Sequence, residues 1–211
     1  MDEKKVPQWL SWAREIQSLA QSGNTFAKNE FDVLRYQRLT EIAAEIIAFH
    51  SNLEVPELLE DFEGQQGYAT PKVDVRGAVF NPEGELLMVN ERIDGTWAMP
   101  GGWADVGDIP SEGAEREVWE EAGFKVRATK VIGVYDANRF PHHLHLFHAF
   151  KVIFLCDLIE GEARPSIETT EVRFFKRNEI PEDMLASRTT VRQIDDAFKA
   201  YSDPTLPTVF D

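Results

Sequence analysis

Glu117, Glu120 and Glu121 lie at positions i, i+3 and i+4 of the segment REVWEEAGF. On a helix that spacing brings three carboxylates onto one face within a single turn. Like charges so placed repel one another, and Gly123 stops the helix just beyond them, where the helix dipole is also negative. A hard divalent cation held among three oxygen donors would relieve the repulsion, and Mg²⁺ or Mn²⁺ suit such ligands. The bland alternative is a solvated acidic face. The preceding MPGGW weighs against it, because adjacent glycines let backbone carbonyls and amides come close to a ligand. Pro110 suits the first turn of the helix.

Other residues carry two readings each. Arg76 and Arg92, on the strands leading to the glycine loop, are candidates to bind substrate phosphates or to form ion pairs. Trp97 and Trp103 flank the PGG turn and either stack on a base or fill core space. The histidines of PHHLHLFH (141 to 148) would be split between two strand faces, and no cysteine joins them, which favours substrate contact or an exposed strand over zinc. Cys156 is the only cysteine and sits in the apolar run KVIFLC, where it reads as a small buried hydrophobe.

The acids need a scaffold, and the chain supplies one in two textures. Trp9, Trp12, Ala13, Ile16, Leu19 and Ala20 recur at helical steps, with Gly23 placed to stop that helix. Leu34, Leu39, Ile42, Ala43, Ile46, Ile47 and Phe49 mark a second helix, with Asn29 as its candidate cap. Together they predict a small N-terminal helical hairpin domain over residues 1–62. Pro56 and EGQQGYATP (63 to 71) interrupt the pattern, and a second domain is expected over 70–211. There VDVRGAVF and ELLMVNER, joined by NPEG, read as a hairpin. Strands are also expected in VRATKVIGVYDA, HLFHAFKVIFLC and EVRFFKR, and a closing helix near 188–201. Strands interleaved with two helices predict an α/β sandwich.

The net charge of −15, from 37 acidic against 22 basic side chains, argues against nucleic-acid and membrane partners. It leaves room for a small phosphorylated substrate, since bound cations reverse the local sign of an acidic pocket. The start MDEKKVPQWL holds no apolar stretch of signal-peptide length, so a cytoplasmic protein is expected.

The stretch from 102 to 124 resembles the box of the Nudix hydrolases, G-x5-E-x7-R-E-U-x-E-E-x-G-U, where U is a bulky aliphatic residue. Gly102, Arg116, Glu117, Val118, Glu120, Glu121 and Gly123 match it, with Phe124 in the final place. Asp108 departs from it, standing where the family has glutamate; it reads equally as an ion contact or a helix cap. The resemblance implies a Nudix α/β/α sandwich with a mixed β-sheet. It also implies that Glu117, Glu120, Glu121 and the Gly102 carbonyl bind Mg²⁺ or Mn²⁺, while Arg116 pairs with a neighbouring carboxylate. The implied chemistry is attack of a metal-activated water on a diphosphate, with Glu117, Glu168 or Glu171 as candidate bases.

The N-terminal pattern WLxWAxEIQxLAQxG followed by RYxxLxEIAAEI is similar to that of a bacterial Nudix subgroup described as ADP-ribose pyrophosphatase-like, which includes CDP-choline pyrophosphatases. This implies a homodimer acting on a small nucleoside-diphosphate substrate. Hydrolysis of RNA ends and a non-catalytic ligand-binding module are the alternatives. The acidic charge weighs against the first, and the intact glutamates of the helix weigh against the second.

Overall fold

The computed structural model describes residues 7–139, 146–181, 185 and 188–211. They fall into two compact units: the first runs to Pro71 and also takes in residues 146–148, and the second holds the other described residues from Lys72 on.

The first unit holds α1 (Gln8–Phe26), α2 (Glu30–His50) and α3 (Val55–Glu63) around Leu10, Ala13, Ala43, Ala44, Ile47, Leu58 and Phe62. Asn29 caps α2, its side chain accepting from the Asp32 N–H at 2.9 Å. Two expectations are corrected. Gly23 does not end α1, which runs on to Phe26. A Cβ there would lie 2.2 Å from Cε1 of Tyr36, so the glycine serves close approach of the α2 ring to the α1 backbone. Pro56 does not break the helical pattern but lies in the first turn of α3, where its missing N–H goes unneeded. The expected hairpin therefore gains a third helix, whose Leu58 and Phe62 complete the core. Phe31 and Phe49 on α2 remain 73 % and 85 % exposed. No helix among the described residues is long and apolar enough to cross a membrane.

The second unit begins with β1 (Lys72–Val79), β2 (Leu86–Glu91), β3 (Trp97–Ala98) and β4 (Gly101–Trp103). Then come α4 (Pro110–Ala122), β5 (Phe124–Asp136), β6 (Ala149–Gly161), β7 (Thr169–Phe175), α5 (Val191–Ser202) and β8 (Val209–Phe210). The strands form one sheet in the order β4-β1-β6-β5-β8 and another in the order β3-β2-β7. β1 runs parallel to β6 and β5 parallel to β8, while the other pairs are antiparallel.

Strand alternation feeds two cores. Ala78, Leu86 and Met88 face the core built with Ile194, Ala197 and Ala200 of α5. Val75, Val79, Leu87 and Val89 face the core built with Ala114, Val118 and Ala122 of α4. Strands covered on both faces read as near-continuous apolar runs. The result is an α/β/α sandwich with a mixed sheet. The hairpin expected of β1 and β2 does not form: both edges of β1 are taken, by β4 and β6, so β2 meets it only at the bridge Phe80–Leu86 before joining the other sheet.

Candidate active site

The acids of α4 are placed by how that helix is anchored. Pro110 opens its first turn, and Gly123 closes it in the left-handed conformation at φ 79°, its N–H on the Trp119 carbonyl. Ala114, Val118 and Ala122 turn into the core. That rotation leaves Glu120 outward, encloses most of Glu117, and buries Glu121 to 5 % exposure.

The glycines of β4 bring backbone to these carboxylates. At Gly101, φ is +148° and a Cβ would lie 2.2 Å from the Val75 carbonyl, so only glycine lets β4 lie this close to β1. Its N–H then donates to Oε2 of Glu121 at 2.9 Å. A Cβ on Gly102 would be 3.1 Å from Oε2 of Glu117, which places that residue's backbone against the second acid.

Arg116 lies among the carboxylates. Its Nη1 reaches Oε1 of Glu117 at 2.8 Å and Oε2 of Glu120 at 3.1 Å, and its Nη2 reaches Oδ2 of Asp108 at 3.1 Å. Asp108 also accepts from the Asp105 N–H at 3.1 Å, while α4 has no side-chain cap. The cap reading of Asp108 is thus corrected: its Oδ2 both closes the 105–108 turn and meets Arg116, and the turn amide and the guanidinium hold its pKa down.

Burial pushes the Glu121 pKa up to about 7, and nearby Glu91 and Glu117 add to the rise, against Arg76 and the Gly101 amide. Burial also raises Glu117, helped by Glu120 and Glu168, and raises Glu91. Three carboxyls in one neighbourhood are therefore held where their charge is disfavoured.

Glu168, in the loop before β7, is close enough for its charge to act on Glu117 and Glu91. Its loop is pinned by Arg92, whose N–H donates to the Glu168 carbonyl at 2.8 Å. The Arg92 guanidinium donates to the carbonyls of Ile167 at 2.9 Å, Ser166 at 3.2 Å and Thr169 at 2.9 Å. Buried Thr169 donates from Oγ1 to the Glu121 carbonyl at 2.9 Å, tying the loop to the last turn of α4. Glu171 lies farther along β7, opposite Asn90.

Arg76, expected at substrate phosphates, stands in the interior at 3 % exposure. Its fork clasps Asp74 at 2.9 and 3.0 Å, and its remaining nitrogen donates to the Met99 carbonyl at 2.7 Å. The bidentate pair fixes the side chain in place. Trp97 lies in the core, edge-on to Phe175, while Trp103 is half exposed. Cys156 is buried and its thiol pKa is pushed up by burial, which suits a packing residue and not a nucleophile. Of the histidine-rich segment, residues 141–145 lie outside the described residues; Leu146 and Phe147 pack against the helical core.

Among the described residues no group of three His, Cys, Asp or Glu side chains is already arranged to hold a metal ion. Arg116 draws Glu117 and Glu120, and the Gly101 amide draws Glu121. The donor set nevertheless fits a hard divalent cation, being all oxygen and containing two enclosed carboxylates whose charge lacks full compensation.

The pattern of the NUDIX domain matches residues 70–194, and that of a UDP-X-like, N-terminal oligomerisation domain matches residues 7–62. The chain belongs to the Nudix family. YjhB of Bacillus subtilis, named as a candidate ADP-ribose pyrophosphatase, is 33 % identical over 208 residues, 99 % of each chain. Among solved structures, a UDP-X diphosphatase is similar at 29 % identity and TM-score 0.61, covering 98 % of this chain and all of its own. An ADP-ribose pyrophosphatase of Streptococcus suis matches at 35 % identity and TM-score 0.60, over 67 % of this chain and 100 % of its own. The chain is accordingly a Nudix pyrophosphohydrolase, and Nudix hydrolases generally use divalent metal ions.

Around Arg76 gather charged residues that sequence reasoning passed over: Asp74, Glu91, Lys151 and Arg188. Arg188 meets Glu91 at 3.3 Å and Asp94 at 2.6 Å. One signal was available. Asp74 and Arg76 are opposite charges two apart in a strand, which puts them on the same face, in an otherwise apolar run.

Proposed function

We propose that this protein hydrolyses the diphosphate bond of an X-linked nucleoside diphosphate, such as ADP-ribose, CDP-choline or UDP-X, in a reaction that requires Mg²⁺ or Mn²⁺. The observation that carries the proposal is the enclosed pair Glu117 and Glu121, both raised in pKa, beside the glycine backbone of β4. The relatives named for ADP-ribose and UDP-X support the substrate class.

Glu117, Glu120, Glu121 and the Gly102 carbonyl would hold the cation. When bound, it would supply charge neutralisation of the diphosphate and a bound water of lowered pKa. Arg116 keeps Glu117 and Glu120 in place by pairing with both. The Gly101 N–H fixes the rotamer of Glu121. Glu168 is the base that accepts the proton of the attacking water, since its loop is tied to α4 and its charge is felt at Glu117. Arg92 serves by holding that loop, and Arg76 by holding Met99 beside the glycine turn. The helical unit, with the exposed apolar side chains of α2, pairs two copies into a homodimer.

The deciding experiment is turnover of ADP-ribose, CDP-choline, UDP-sugars, NADH and dinucleoside polyphosphates, with Mg²⁺, with Mn²⁺ and in excess chelator. Hydrolysis of at least one X-linked nucleoside diphosphate, absent in chelator and restored by either ion, is expected. Undiminished turnover after exhaustive chelation would refute the metal assignment.

A further inference from the structure

A closed ring of polar contacts lies beneath the proposed catalytic face. Lys151 on β6 donates from Nζ to the carbonyl of Arg188. The neighbouring Thr189 accepts, at Oγ1, the Met99 N–H at 2.9 Å. The Met99 carbonyl accepts from Arg76 Nη1 at 2.7 Å, and the rest of the Arg76 fork clasps Asp74. Oδ2 of Asp74 stands 4.0 Å from Lys151 Nζ, which closes the ring. The parallel pairing of β1 with β6 sets Asp74 directly opposite Lys151, so backbone register builds this last link.

These side chains are almost wholly removed from solvent: Lys151 is 2 % exposed and Thr189 is fully buried. Burying three charges is costly, and well-packed apolar residues of similar volume commonly serve stability as well or better. A role beyond stability is therefore indicated, and the partners of the ring show what it holds. It grips both backbone groups of Met99. Next to Met99, the Pro100 carbonyl accepts from the Gly77 N–H at 3.0 Å, and the Gly101 N–H holds Glu121. Gly102 lies against Glu117. On its far side the ring grips residues 188 and 189, immediately before the capping box of α5 and with the Arg188 side chain on Glu91 and Asp94.

We infer that Lys151, Asp74, Arg76 and Thr189 form a positioning ring that sets the Met99–Gly102 turn, and through it Glu117 and Glu121, in catalytic register without touching substrate. The inference rests on the metal-dependent reading above. Burial above all, helped by Arg76 and Arg188 and opposed by Asp74 and Glu91, lowers the Lys151 pKa to about 7. A neutral side chain is consequently tolerable there, and Lys151→Met is a usable probe.

The test uses the full chain with Lys151→Met, Thr189→Val and the double variant. Three readouts are taken: folding by circular dichroism, Mn²⁺ binding from the loss of the free-ion resonance signal, and kcat and KM for ADP-ribose. Each single variant is expected to weaken Mn²⁺ binding about fivefold and lower kcat about tenfold, with KM changed less than about threefold. The double variant should be no worse than the worse single one, because either change opens the same ring. Folded single variants with wild-type Mn²⁺ affinity and kcat, or a double variant whose losses multiply, would overturn the inference. If Lys151→Met does not fold, the near-isosteric Thr189→Val decides alone by the same criteria. Wild-type protein that binds no Mn²⁺ would overturn the metal reading itself, and the ring's proposed role with it.

Discussion

Glu121→Gln should make the metal-free protein more stable while removing most of its activity. Glu121 is 5 % exposed, and its pKa rises from an ordinary 4.5 to about 7. A carboxyl whose folded pKa is raised contributes stability that is fully present below its unfolded pKa and is lost as pH rises through the folded one. The loss therefore falls between about pH 4.5 and 7. At about 1.4 kcal/mol per tenfold change in proton affinity, the charged form costs the metal-free fold about 3 kcal/mol at pH 8. Glutamine removes the charge and keeps an oxygen for the Gly101 N–H. For a chain of this size the variant should melt about 6–12 °C higher than wild type at pH 8 in chelator, and the gap should shrink to a few degrees at pH 5. Comparing the two proteins at each pH cancels the groups that do not interact with Glu121, while Glu91 and Glu117, relieved of its charge, add to the variant's gain. Among the groups that cancel is Lys151, whose lowered pKa has the opposite sign: its contribution grows as pH rises above about 7. Saturating Mg²⁺ should raise the wild-type melting temperature and leave the variant nearly unmoved. Its kcat should fall at least about a hundredfold. Equal melting temperatures at pH 8 in chelator would refute the claim that Glu121 bears an uncompensated buried charge.

Glu168→Gln should lower kcat at least about a hundredfold without weakening Mn²⁺ binding, whereas Glu171→Gln should stay within about twofold. Steady-state turnover beside Mn²⁺ titration checks this, and the reverse ranking would move the base to β7. Arg92→Ala removes three carbonyl anchors of the Glu168 loop. It should lower kcat about tenfold with little change in KM, and destabilise the fold by about 1–3 kcal/mol in a denaturant titration. Replacing Phe31 and Phe49 together by glutamate should halve the mass seen by light scattering with the helices intact in circular dichroism. An unchanged mass would take that face of α2 out of the subunit contact.

The acids of α4 were legible because a helix converts three- and four-residue spacing into a shared face, so Glu117, Glu120 and Glu121 could be grouped with no knowledge of the rest of the chain. The capping of α2 by Asn29 was legible for the same reason, its chemistry being local. Gly23 and Pro56 misled because each has two uses. Gly23 admits the ring of Tyr36 from the neighbouring helix, a contact no local pattern encodes, and proline serves a helix start as readily as a break. β1 and β2 had the turn and alternation of a hairpin, but β4 and β6 compete for the edges of β1 and win both. The positioning of Arg76 was hidden furthest. It depends on the parallel register that sets Asp74 against Lys151, and on Met99 in a different segment.

Arg76 also explains how this site can be both acidic and folded. Its charge is among those that lower the pKa of Glu121, second only to the opposing effect of burial. Yet its fork is fixed on Asp74 and Met99, so it eases the charge on Glu121 without occupying that carboxylate's oxygens. A lysine or arginine free to swing would have closed a buried ion pair with Glu121, which is stable and useless to a metal. Arg116 treats Glu117 and Glu120 differently, touching one oxygen of each from a partly exposed position where the ion pairs are weak and exchangeable. The two arginines thus divide the work of holding acids together. One acts at a distance from the interior and the other by contacts that a divalent ion can outbid, and in both cases the carboxylates remain available as ligands.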